Sequence, residues 1–390
     1  MTQRLRSSQG WPPIAAPLAA CLTGLLTWLV IALSFGAGSA AAALPDNFYR
    51  VNVPVASRSA EDRRTAAGQG LRVMLTRLTG LTDVADSPPV AKATANPEDY
   101  FSQYRYVRTQ RFDDWGQPIT ELEVTFVPAA LRRLQAAAAL PLWPLNRPRV
   151  VLWLLEDDGG EQRLISDAQH PLADALLAHS RWRGLPMTLP GGDAVDVANI
   201  TARAALRGDP EALARAGARY DAQISLLGRV ESLGDDNWLV RWTAQQGERP
   251  QRLRLSGGLA NVALAPVDMI ADALVAQFTV AGGRGGQLAL EIAGIASVAA
   301  YGGVLKYLGS LSYVSEVAVR ELRGSSLLVD VTTGSDAAKF LQLLAVDARL
   351  VAIERSGDPL STAVTAQPVP LGAEPVLSTP AGVLQVSWQD

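Results

Sequence analysis

The side chains in this sequence that could carry chemistry are few and scattered. Three aspartate pairs stand out: Asp113–Asp114, Asp157–Asp158 and Asp235–Asp236. Paired carboxylates serve general acid–base catalysis, or hold a hard divalent cation, when their oxygens converge on one point. Each pair here sits beside Gly, Trp or Asn between two predicted strands, where turns favour aspartate, and adjacent loop residues point apart. Turn chemistry is therefore expected. His170 and His179 are nine positions apart, so they do not share a helix face as i, i+4 ligands would. His170 reads as the start of a helix at Pro171, and His179 as that helix's surface. The single cysteine, Cys21, lies in an apolar stretch, which leaves the remainder without disulfide or thiol chemistry. Neither a G-x-S-x-G nucleophile turn nor a G-x-x-x-x-G-K-[ST] phosphate loop occurs. The glycine cluster from Gly282 to Gly286 lacks the lysine and hydroxyl of such a loop and reads as a linker. No catalytic residue, metal ligand or cofactor site is expected.

One set of residues has the composition of a recognition surface. Tyr104, Arg105, Tyr106, Trp143 and Arg147 combine flat apolar area with positive charge, as interface hot spots do. The same residues also suit packing: Tyr104 and Tyr106 share one face of a predicted strand, and Trp143 stands between prolines at a predicted junction. Both readings stand at this point.

The elements that must position these residues begin with a leader. Arg4 and Arg6 precede residues 15–43, which carry no charge, and the most apolar run is Leu22 to Phe35. Basic residues before the run keep the N-terminus cytoplasmic and send the remainder outward. Residues 1–43 are read as a signal peptide cleaved after Ala43 or as an uncleaved anchor through residues 15–37, with lipidation at Cys21 a third route. All three place the body in the periplasm. A net charge of -3 gives no basic excess for nucleic acid.

Periodicity divides the body into units. Residues 44–147 read as a first α/β unit. Its first strand is centred on Val51 and Val53. A helix follows that is capped at Ser59 and stopped by Gly80, with Ala67, Leu71, Met74, Leu75 and Leu78 on one face. A Pro/Asn-rich loop, a two-stranded hairpin and a helix opened by Pro128 complete it. Residues 148–281 read as a second α/β unit around the continuous apolar run at 150–155, the mark of a strand covered on both faces. Residues 287–355 read as a ferredoxin-like β-α-β-β-α-β unit. Residues 356–390, rich in Pro, Ala, Ser and Thr, read as a disordered tail. The fold class is mixed α/β and α+β behind an N-terminal hydrophobic helix.

Several stretches resemble the bacterial domain-of-unknown-function family 2066: Phe48 to Val55, Leu75 to Gly80, Tyr104 to Tyr106, Pro141 to Pro148, and Gly217 to Ala222 with Leu227 to Val230. That resemblance implies an exported proteobacterial protein and supplies no activity. The last stretch also looks like α/β domains of envelope assembly proteins, a fold-level analogy only.

Two function classes follow. The first is a non-catalytic periplasmic binding or assembly module, whose partner is another envelope protein or cell-wall material. The second is a periplasmic hydrolase with a carboxylate-based site. A pocket gathering carboxylates would favour the hydrolase.

Overall fold

Alternating apolar residues build the first sheet. In the computed structural model, which describes residues 47–113, 115–158, 161–201, 203–246, 250–282, 286–353 and 383–389, β1 (Arg50–Pro54), β2 (Phe101–Phe112) and β3 (Pro118–Phe126) form an antiparallel sheet in the order β1-β3-β2. The leader and residues 354–382 lie outside the described residues. Val51 and Val53 of β1, with Leu122, Val124 and Phe126 of β3, bury one face against α1 (Ala60–Thr79), whose expected apolar stripe is buried. Ser59 caps α1 by accepting from the Asp62 amide, and Gly80 ends it in the left-handed region at φ 77. The expected Pro/Asn-rich loop is instead partly helical: α2 (Pro88–Ala95) places both prolines in its first turn, where no amide donor is needed, and buries Val90 and Ala93. α3 (Pro128–Ala137) closes the unit.

The second sheet has the order β5-β4-β7-β8-β9, from β4 (Val150–Asp158), β5 (Glu161–Ile165), β7 (Ile224–Gly234), β8 (Asn237–Gln245) and β9 (Gln251–Gly257). The short β6 (Met187–Thr188) pairs with β4. β4 and β7 are parallel; β7, β8 and β9 form an antiparallel meander. The apolar run at 150–155 divides its side chains as expected. Val150, Leu152 and Leu154 pack beside α4 (Pro171–Arg183) and α8 (Leu259–Phe278), while Val151, Trp153 and Leu155 pack beside α5 (Ala194–Thr201), α6 (Arg203–Leu206) and α7 (Pro210–Ala218). α8 is long and apolar enough to cross a membrane, yet Val262, Val267, Ala271 and Leu274 bury its inner face in this core.

The third sheet has the order β11-β12-β10-β14-β13, from β10 (Gly286–Ala293), β11 (Val314–Arg323), β12 (Ser326–Thr333), β13 (Leu350–Ala352) and β14 (Leu384–Trp388), with α9 (Val298–Ser310) and α10 (Ala337–Leu344). This corrects the tail expectation for its last residues. β14 lies between β10 and β13, parallel to the first and antiparallel to the second, and buries Val386 and Trp388. Its apolar alternation covers only five residues at the end of a Pro/Ser/Thr-rich stretch, too short to read as a strand without its neighbours.

The sheets share core. One buried cluster runs from Trp143 through the second sheet to Leu290 and Trp388 of the third and Phe340 of α10, and the described residues form one compact unit. The start of the expected glycine linker is packed, because Val280 and Leu142 exchange backbone hydrogen bonds of 2.8 Å and Gly282 abuts the backbone of Ala139 and Leu140.

Candidate functional site

The segment from Pro141 to Arg149 is the pin of this arrangement. Trp143 N donates to Leu78 O (2.8 Å), Arg147 Nη1 to Gly184 O (2.6 Å), Leu145 N to Ser312 Oγ (3.3 Å) and Asn146 Nδ2 to Leu343 O (3.0 Å), so a short stretch touches all three sheet units. Trp143 is 0% and Arg147 only 3% exposed. Among the described residues the Arg147 guanidinium meets no carboxylate. It donates to four carbonyls: Pro144 O (2.8 Å), Gly184 O (2.6 Å), Arg77 O (2.6 Å) and Trp143 O (3.0 Å). Its Cζ also stands 3.6 Å from the Trp143 ring centroid, a cation–π contact. Burial, and then Arg77 nearby, lower its pKa to about 9, which leaves it charged at neutral pH.

Beside this pin opens a cavity of about 400 Å³. The end of α1 brings Arg77, the end of α4 brings Arg181, and β1 and the pin bring Arg50, Arg147 and Arg149. Phe48, Leu145, Leu177, Leu185, Pro186 and Met187 supply apolar wall. No Asp, Glu or His is among the described lining residues. Arg77 Nη1 donates to Phe48 O (3.0 Å) and Arg50 O (2.8 Å), while its Nε is buried without a partner. Burial, then the like charge of Arg181, lower the Arg77 pKa to about 10. Arg50 and Arg149 are balanced from outside the cavity, by Glu123 at 3.5 Å and Asp221 at 3.6 Å. Such a cavity can hold an anion; it has no group suited to general acid–base work.

The residues singled out from sequence do not meet there. Tyr104 and Tyr106 project to the α1 face of edge strand β2, their rings under Arg63 and Arg58, with Tyr104 43% exposed. Arg105 points to the opposite face and grips Glu123 with two bonds of 2.7 and 3.0 Å. Trp143 and Arg147 are buried in the pin, so the five do not form one exposed surface. Only Arg147 reaches the cavity. The described aspartates of the three pairs lie in separate places. Asp113 Oδ1 accepts from the Trp115 and Gln117 amides, Asp235 and Asp236 make the β7–β8 turn at positive φ, and Asp157 lies in β4; Asp114 is outside the described residues. His170 stands edge-on to Trp238, and burial lowers its pKa. His179 is not on the open helix surface: it bonds Asp268 at 2.9 Å and stacks on Trp182. Among the described residues no three His, Cys, Asp or Glu side chains cluster as metal ligands would.

Comparison with known families places one stretch. Residues 42–144 match the family described as Domain of unknown function (DUF8605). This overturns the resemblance to family 2066, because the family model that matches is a different one. No curated protein matches the chain. The DUF8605 stretch contributes Arg50 and Arg77 to the cavity, while Arg147, Arg149 and Arg181 lie beyond it. Sequence reasoning missed Arg50, Arg77, Arg149 and Arg181, because no spacing along the chain relates residues that only the pin brings together.

Proposed function

We propose that this chain is an exported envelope protein acting as a non-catalytic binding module, with the arginine cavity as the seat of its ligand's anionic part. The observation that carries the reading is the set of five arginines around about 400 Å³ with no acidic residue among the described lining. A hydrolase working through carboxylates needs at least two aimed at one point, and Asp113, Asp157, Asp235 and Asp236 lie in turns and a strand end. The uncharged run at 15–43 behind Arg4 and Arg6 supports export, with the body in the periplasm, either soluble after cleavage or held at the inner membrane. The partner is another envelope protein or cell-wall material that presents an anionic group.

In the same reading the third sheet is a ferredoxin-like split sandwich. β10, β11, β12 and β13 with α9 and α10 follow the β-α-β-β-α-β order, and β14 is an added strand between the first and fourth. Two experiments test the proposal. A phosphatase reporter fused after Phe278 should be active, since that enzyme requires an oxidising compartment; an inactive fusion overturns export. Crystals soaked in small anions should show one held among Arg50, Arg77 and Arg181, and a cavity that stays empty at high anion concentration overturns the ligand seat.

A further inference from the structure

Resting on the reading of the cavity as a ligand seat, we propose that the ligand is a phosphate ester: a phosphate group on a small apolar body, the phosphate at the Arg77 edge and the body against Phe48, Leu177 and Met187. The first argument is charge. Of the five lining arginines, Arg50 and Arg149 have carboxylate neighbours at 3.5 and 3.6 Å, whereas Arg77, Arg147 and Arg181 have none among the described residues. One carboxylate would offset only one of those cations. A phosphate monoester carries roughly -1.5 to -2 at neutral pH and offers three acceptor oxygens, so it offsets most of the excess.

The second argument is geometry. Arg77 spends Nη1 on two carbonyls, which fixes the guanidinium plane. Its Nε has no partner, and Nη2 makes no bond among the described residues. Nη2 is therefore the donor left for a phosphate oxygen, while Nε is closed off from solvent. Arg181 lines the same space without a side-chain partner among the described residues and so adds its donors from the end of α4.

The third argument concerns the walls. A free inorganic phosphate would leave the partly exposed Leu145, Leu177 and Met187 uncovered, and the volume falls at the low end of the range of about 300–1,000 Å³ for small-molecule sites. An apolar body bonded to the phosphate fills that wall and excludes water from the ion pairs, which strengthens them.

The test uses the full chain in nonionic detergent, titrated calorimetrically at about pH 7 with phenyl phosphate, inorganic phosphate and benzoate. Phenyl phosphate should bind about tenfold more tightly than either of the others, since only it combines both features. Arg181→Ala, a change at an exposed side chain, should weaken phenyl phosphate by about tenfold without moving the melting temperature. Arg77→Lys should also weaken it, but because Arg77 holds the start of β1 the Arg181 variant is the decisive one. If benzoate binds as tightly as phenyl phosphate, the phosphate assignment is wrong while the ligand seat survives. If inorganic phosphate binds as tightly, the apolar body is wrong. If none of the three binds, both the assignment and the seat fall, and affinity unchanged in Arg181→Ala overturns the location. Flotation with vesicles containing phosphatidic acid separates two sources of the same chemistry. Binding that Arg181→Ala reduces supports a lipid headgroup, whereas phenyl phosphate binding with no Arg181-dependent flotation supports a soluble ester.

Discussion

The guanidinium of Arg147 stands over the indole of Trp143, 3.6 Å from the ring centroid, and donates back to the Trp143 carbonyl at 3.0 Å. These residues, four positions apart, close the pin on itself. The same guanidinium reaches Arg77 O at the end of α1 and Gly184 O at the end of α4, so one side chain fixes the termini of two helices from different sheet units. Both helix ends held by this clamp line the cavity, through Arg77 and through Arg181 and Gly184.

Trp143 fills the centre of that junction, with no exposed surface. Trp143→Ala is expected to destabilise the protein by about 3–5 kcal/mol through the cavity it leaves. Denaturant melts of both proteins measure this directly. An unchanged midpoint would show that the ring does not pack at the junction.

Arg183 presents an asymmetric case. Its side chain is fully buried, while its partners Asp268 and Asp272 are 34% and 66% exposed. Removing both carboxylates strands a buried cation; removing the cation leaves carboxylates that water can reach. Asp268→Asn with Asp272→Asn should therefore cost about 3 kcal/mol or more, and Arg183→Met less than that. The reverse order in urea melts would mean that the guanidinium is not the buried member of the cluster.

β14 is a central strand of the third sheet, although it stands at the end of the sequence. Trp388 packs against Tyr307, with centroids 5.7 Å apart, and Val386 is fully buried. Deleting residues 383–390 should remove the strand that joins β10 to β13 and expose the β10 edge, so limited proteolysis should cut the third sheet unit in the shortened chain and spare it in the intact one. Equal resistance in the two chains would remove β14 from the sheet.

Asp347 gives a pH signature. Burial raises its carboxyl above the usual range, and the Tyr307 hydroxyl, which donates to it at 2.7 Å, offsets this only in part. A folded pKa above the unfolded one means that the ionised carboxylate disfavours folding at neutral pH. That penalty fades as pH falls through the raised value towards the ordinary one of about 3.9. Asp347→Asn keeps an acceptor for Tyr307, so it should melt higher than wild type at about pH 7 and converge with it near about pH 4. A variant less stable at neutral pH would show that the carboxylate's backbone bonds outweigh its burial.

Local order was legible in the sequence. Ser59 and Gly80 bound α1 as their chemistry requires, because a capping hydroxyl and a left-handed glycine act within a few residues of the chain. The apolar run at 150–155 announced a strand covered on both faces, and the two cores that take its alternate side chains are where that pattern put them. Where the pattern was short or masked by composition, as in α2 behind its two prolines and β14 behind its Pro/Ser/Thr-rich neighbours, the elements were missed.

The sequence by itself determined the caps, the apolar stripes and the order of most strands and helices, since these depend on spacing along one segment. Tertiary structure alone decided that Trp143 and Arg147 are buried rather than part of a surface with Tyr104, that His179 meets Asp268 across 89 positions, and that Arg50, Arg77, Arg147, Arg149 and Arg181 surround one cavity. Guanidiniums reach their partners through folded space, and carbonyls satisfy them as readily as carboxylates do, so neither charge pattern nor spacing in the chain marks the place where they gather.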